Sequence, residues 1–114
     1  MNMNGRTPHT LTRTLALVAA LTATSAFAAP DQSELARESG CFSCHSPTEK
    51  IVGPAFQSVA ERYAGQKDAV SELAQSVTNG STKKWSRVAA MPPHPNMSQA
   101  DIRRLVEWVL SLKK

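Results

Sequence analysis

Both cysteines of this chain stand in one five-residue stretch, Cys41-Phe42-Ser43-Cys44-His45, and that clustering limits what the fold can be built on. Two cysteines are too few for a disulfide scaffold. The aromatic stock offers little in exchange, since past residue 28 it consists of Phe42, Phe56, Tyr63, Trp85 and Trp108. A core of that size is marginal, and small domains of this kind gain stability from a disulfide, a metal or a bound cofactor. The question is which of these Cys41 and Cys44 supply.

Residues 1–28 read as a leader. Arg6 and Arg13 precede an apolar run from Leu15 to Leu21, and Ala26-Phe27-Ala28 provides the small residues that a signal peptidase requires. Cleavage after Ala28 leaves residues 29–114 as a single domain. A membrane anchor is the weaker reading, because the run is well short of the roughly 20 residues that span hydrocarbon and is interrupted by Thr22, Thr24 and Ser25. Arg6 and Arg13 are not adjacent, so a twin-arginine route has no support. Part of the charge leaves with the leader: the full chain has 13 basic and 9 acidic side chains, and Arg6 and Arg13 are two of the basic ones. Lys83-Lys84 and Lys113-Lys114 are isolated doublets rather than a basic stripe interleaved with aromatics, which argues against nucleic-acid binding. Apolar residues recur throughout, which disfavours disorder.

No run alternates apolar and polar residues as a strand would, whereas helical spacing recurs four times. A short first helix runs from about Asp31 to Ser39, with Asp31 and Glu34 as a capping pair and Gly40 as its stop. Pro54 opens a second, which places Phe56, Val59, Ala60 and Tyr63 on one face before Gly65. A third follows Asp68, with Val70, Leu73, Ala74 and Val77 in line and Asn79-Gly80 as terminator. The last begins at Ser98, has Asp101 three residues later, and carries the stripe Ile102, Leu105, Val106, Val109 and Leu110, with Lys113 and Lys114 at its carbonyl end. Between Gly80 and Ser98 the sequence predicts a loop without regular structure that holds Trp85, Met91 and three prolines; loops of this length in compact domains are commonly functional. The parts are those of an all-α domain.

In an exported chain, C-x-x-C-H at positions 41–45 reads as a covalent haem attachment site. Each thiol adds to one haem vinyl group, and His45 is carried under the ring plane toward the iron. A redox dithiol competes, but thioredoxin-like pairs belong to βαβ patterns. A zinc site also competes, yet it has only Cys41, Cys44, His45 and the remote His94 to draw on, without the paired spacing of a second half-site.

Beyond this motif the chain resembles the class I c-type cytochromes, in their short bacterial monohaem subgroup, from about Ser33 to Lys113. The resemblance is carried by C-x-x-C-H, Val52-Gly53-Pro54-Ala55-Phe56, Glu72-Leu73-Ala74-Gln75, Asn79-Gly80-Ser81, Trp85, Met91-Pro92-Pro93 and Trp108-Val109-Leu110. It implies the class I cytochrome c fold, about four helices enclosing one covalently bound haem c, with the first and last helices crossing. It implies Met91 as the iron ligand opposite His45, in a loop stiffened by the prolines that follow it. Met97, the other methionine past the leader, suits a core-filling role. The Pro54 carbonyl is implied as the acceptor that orients His45. Trp85 is implied as a donor to a haem propionate, with core packing as its alternative. The family's basic residue ahead of Asn79-Gly80 is missing, since Ser76 and Thr78 stand there, and Lys83, Lys84 or Arg87 are the available substitutes. Three residues after Met91, where many relatives carry an amide, this chain has His94. It either donates to the thioether and tunes the potential with pH, or is a solvated loop residue.

Histidine and methionine together fill both axial positions, leave none for a substrate, and favour Fe(II) through the soft thioether. The implied function is single-electron transfer without enzymatic activity, by a soluble, periplasmic monomer. Donor and acceptor redox proteins would meet it at the exposed haem edge near Phe42, Pro47 and Val52, with Lys50, Lys83 and Lys84 as a basic rim. Neither nucleic acid nor stable membrane insertion enters this reading. Its alternative is a haem subunit or dedicated electron acceptor of one dehydrogenase or oxidase complex; a thiol–disulfide oxidoreductase would instead need free thiols at Cys41 and Cys44.

Overall fold

The computed structural model describes residues 1, 5, 19–20 and 29–114, so nearly all of the leader and its cleavage motif lie outside the described residues. Among the described residues there are four helices, α1 (Ser33–Glu38), α2 (Phe56–Tyr63), α3 (Ala69–Asn79) and α4 (Gln99–Ser111), with a 3₁₀ turn at Cys41–Ser43. The segment after α3 contains a small antiparallel hairpin, β1 (Ser81–Thr82) and β2 (Ala90–Met91), in which Ser81 faces Met91 and Thr82 faces Ala90. This corrects the structureless loop predicted there. Two-residue strands are too short to leave an alternating pattern, which needs four or more residues to register.

Helix boundaries follow from where the first free N–H groups and last free carbonyls find partners. Ser98 caps α4 as predicted, its Oγ accepting the Asp101 N–H at 3.1 Å. Asp31 does not cap α1. Its carboxylate accepts the Ser33 N–H and hydroxyl ahead of the helix, while Glu34 pairs with Arg37. Pro54 lies just outside α2, and the N–H groups of Phe56 and Gln57 donate to the carbonyls of Ser46 and Pro47 at 2.9 and 3.0 Å. Gly40 and Gly80 end α1 and α3 with φ of 79° and 78°, the first as a left-handed turn and the second in an extended positive-φ conformation, both of which glycine adopts without strain. Helix α4 stops at Ser111, so Lys113 and Lys114 stand beyond its last turn.

Two buried clusters form along α4. One joins Val59 and Tyr63 of α2, Ala69 and Leu73 of α3, and Ile102 and Val106 of α4. The other joins Ala36 of α1, Phe56 of α2, and Leu105 and Trp108 of α4. Trp108 meets Phe56 edge-on, with centroids 5.7 Å apart. Met97 and Val109 pack against both clusters and link them. As Ile102 is fully buried, Ile102→Ala is expected to cost about 2–5 kcal/mol in denaturant unfolding of the holoprotein, against less than about 0.5 kcal/mol for Arg103→Ala on the exposed face.

A polar cluster closes the outer side of α2 and α3. Lys84 Nζ stands 2.7 Å from Glu72 Oε1, the Tyr63 hydroxyl donates to the same oxygen at 2.9 Å, and Lys84 also donates to Ser76 Oγ at 3.3 Å. Lys84, followed by Tyr63, holds the Glu72 carboxyl below the usual carboxylate range. A carboxylate whose pKa is lowered by folding adds stability above its unfolded pKa, about 4.3, and loses it as pH falls through the folded value. The thermal midpoints of wild type and Glu72→Gln should therefore differ at neutral pH and converge as acid is added below that range.

Candidate haem-binding site

Between the two clusters lies an apolar cleft of about 1300 Å³, counted out to its solvent mouth. Cys41, Cys44 and His45 line it from the segment before α2, and Leu73 and Val77 from α3. Trp85 and Met91 line it from the hairpin region, and Leu105 and Val109 from α4. Its polar lining includes Ser76, Lys84 and Ser86, beside Trp85.

Backbone bonds build the attachment segment. The left-handed Gly40 turns the chain out of α1, and the Cys41 carbonyl accepts the N–H groups of Cys44 and His45 at 3.2 and 2.9 Å. Gly53 N–H then donates to the Cys44 carbonyl at 2.8 Å, which folds residues 46–52 back as a loop. His45 Nδ1–H donates to the Pro54 carbonyl at 2.7 Å, and the ring stacks on Phe56 with centroids 5.0 Å apart. A carbonyl only accepts, so this bond puts the proton on Nδ1 and leaves the Nε2 lone pair for a metal. Gly53 walls the ring on a further side, where a Cβ would stand 2.5 Å from His45 Cε1. Burial pushes the Cys41 thiol up, so it stays a neutral and slow nucleophile until it is joined to another group.

The remaining residues singled out from sequence fall as follows. Met91, on β2, lines the same cleft as His45. Met97 also lines it but is packed against both core clusters. Trp85 carries the Arg62 guanidinium over its ring at 4.4 Å. His94 gives Nδ1 to the Val77 carbonyl at 3.3 Å, so that nitrogen is not turned to the Met91 sulfur. Lys84 is withdrawn into the polar cluster, which removes it from the predicted basic rim; Lys50 and Lys83 remain exposed, and Arg87 joins them. Phe42 is half-buried against Phe56 and the second cluster rather than standing at the surface. The sequence reading missed Arg62, Glu72 and Tyr63 as polar partners. No local signal joins them, because Glu72 and Lys84 come from elements twelve positions apart and carry no i,i+4 pattern.

The donor set fits a haem: two thiols, an oriented imidazole and a thioether in an apolar cleft whose polar lining includes the hydroxyls of Ser76 and Ser86. Because the Gly53 position has no room for a side chain, Gly53→Ala is expected to displace the His45 ring. It should cost about 1–3 kcal/mol of holoprotein stability and alter the visible spectrum; an unchanged spectrum would show that the ring is not confined there.

The chain matches the cytochrome c family model over residues 32–113. It is 44% identical over 80 residues to cytochrome c-552 of Hydrogenobacter thermophilus, a match covering 70% of this chain and 80% of that one. With cytochrome c-551 of Pseudomonas aeruginosa it shares 42% identity over 85 residues, covering 75% and 80%. Among solved structures it is similar to wild-type Nitrosomonas europaea cytochrome c552, with a TM-score of 0.68 and 40% identity over 71% of this chain and 99% of that one. A family match across the whole helical domain, with two thiols in C-x-x-C-H spacing beside an apolar cleft, shows that this chain belongs to the cytochrome c family, whose members carry electrons on a covalently attached haem c and are not enzymes.

Proposed function

We propose that the mature chain, cleaved after Ala28, works in the periplasm as a monomeric shuttle for single electrons, with His45 and Met91 as axial ligands of its haem iron. The observation that carries this reading is the convergence of His45 and Met91, from separate elements, on one apolar cleft. When bound, haem c supplies the one-electron couple. The chain's own groups do the rest. Cys41 and Cys44 hold the cofactor by thioether bonds. Pro54 and Gly53 fix the imidazole, so that its orientation is set before any change of oxidation state. Met91, from the opposite wall, would supply a thioether to the iron and keep water from it. Trp85 and the hydroxyls of Ser76 and Ser86, which line the cleft, would receive the haem carboxylates.

Shuttling rather than permanent assembly is supported by the exposed apolar groups. Apart from Met1, the large hydrophobic side chains exposed among the described residues are Ile51, Val52 and Val88. Val52 lines the cleft, as does Ala89 beside Val88. A stable interface buries roughly 1,200–2,000 Å². The adjacent pair Ile51 and Val52 and the single Val88, with exposed Lys50, Lys83 and Arg87, suit a brief encounter with a redox partner. No helix among the described residues is long and apolar enough to cross a membrane.

The test is spectroscopic. Haem should stay with the polypeptide through denaturing electrophoresis and acid–acetone extraction. Met91→Ala should abolish the long-wavelength sulfur-to-iron charge-transfer band of the oxidised protein, lower its potential and let imidazole or azide bind the iron. Met97→Ala should keep the band and lose only packing stability. The reverse result transfers the ligand to Met97.

A further inference from the structure

Residues 92–95 read Pro-Pro-His-Pro, so His94 holds the one backbone N–H in the four positions after Met91. That N–H donates to the Val77 carbonyl at 3.0 Å. Val77 belongs to the last turn of α3, whose carbonyls have no partner within the helix. The His94 side chain then reaches the same oxygen, with Nδ1 at 3.3 Å. Since a carbonyl only accepts, Nδ1 carries a proton here, and one residue gives one oxygen two donors.

The other side of Met91 is anchored at the same helix end. Ser81, two residues past α3, faces Met91 across the hairpin. Gly80 approaches the Met91 carbonyl so closely that a Cβ there would stand 2.7 Å from it. Between the anchors run only Met91, Pro92 and Pro93, and the prolines fix φ while offering no donor. A thioether on so short a span takes its position from its two ends. The hairpin supplies one end, and His94 on Val77 supplies the other.

We infer that His94 is a positioning residue: its ring and backbone N–H clamp the Met91 segment onto the C-terminal turn of α3 and hold the thioether at the cleft. This rests on Met91 as the axial ligand. It assigns the imidazole to the helix carbonyl and not to the sulfur, and it gives the half-buried ring a structural bond where a solvated loop residue would have none. Asparagine carries its amide nitrogen one bond beyond Cγ, as histidine carries Nδ1, and so preserves the donor. Leucine preserves bulk without a donor.

The test titrates the oxidised holoprotein with imidazole, which competes with Met91 for the iron, and follows the sulfur-to-iron band. His94→Leu should raise the apparent imidazole affinity about fivefold, the factor one ordinary hydrogen bond carries, and weaken the band. His94→Asn should restore both toward wild type. Where His94→Leu fails to accumulate as holoprotein, His94→Ala takes its place. Leucine and asparagine variants that both match wild type, or that loosen the band equally, would overturn the clamp. So would a lower urea midpoint with unchanged imidazole affinity, since the ring would then be a packing group alone. If Met91→Ala kept the band, the failure would lie in the ligand assignment beneath the proposal, and the His94 series would not be needed to locate it.

Discussion

An apolar cleft runs between two small buried clusters, and neither cluster is a complete core without something in it. Helix α4 backs both, with Ile102 and Val106 on one and Leu105 and Trp108 on the other, while Met97 and Val109 join them. Val77 and Val109 on the cleft walls are only half-buried, and each Å² of their apolar surface removed from solvent is worth about 25 cal/mol. A haem seated there is the middle layer of the core. Its binding energy is then folding energy, and a covalent link keeps that layer from dissociating when the chain opens. This explains how a domain with so few aromatic residues holds four helices in place.

The same economy governs the attachment segment. Helix α2 has no side-chain cap; its first N–H groups are taken by the carbonyls of Ser46 and Pro47, directly after His45. Starting the helix and docking the C-x-x-C-H loop are therefore one event. Gly53 and Pro54 complete it, one by having no side chain where the imidazole lies and the other by offering a carbonyl 2.7 Å from Nδ1. The orientation of the ring follows from backbone groups, which move less than side chains and so hold the imidazole more firmly.

Motif spacing and helical periodicity made most of this legible in the sequence. Cys41, Cys44 and His45 are contiguous, α4 has both a capping serine and a long apolar stripe, and Gly40, Gly65 and Gly80 mark turns where φ is positive. What escaped was set by contacts between distant segments. The hairpin was invisible because two residues carry no period. Lys84 read as a free surface charge because Glu72 and Tyr63, which hold it, belong to other elements. Asp31 had the right residue type for a cap, yet its short side chain found the Ser33 N–H and hydroxyl first, an Asx-type bond that competes with helix capping.

The two proposed axial ligands are mounted in different ways, and the difference has dynamic consequences. His45 follows the covalent attachment points directly and is confined by Pro54, Gly53 and Phe56. Met91 lies 46 residues further on, on a two-residue strand tied to the end of α3 by a few backbone bonds. Local opening is cheapest where few buried apolar contacts and hydrogen bonds must be broken. By that measure the Met91 segment opens before the His45 segment. Stiffness from Pro92 and Pro93, and the anchoring of both ends on one helix terminus, act against that opening. They leave the segment with few conformations to gain when it opens, so the entropic drive to open is small. The chain thus protects its weaker ligand by restricting the released state rather than by burying the bound one.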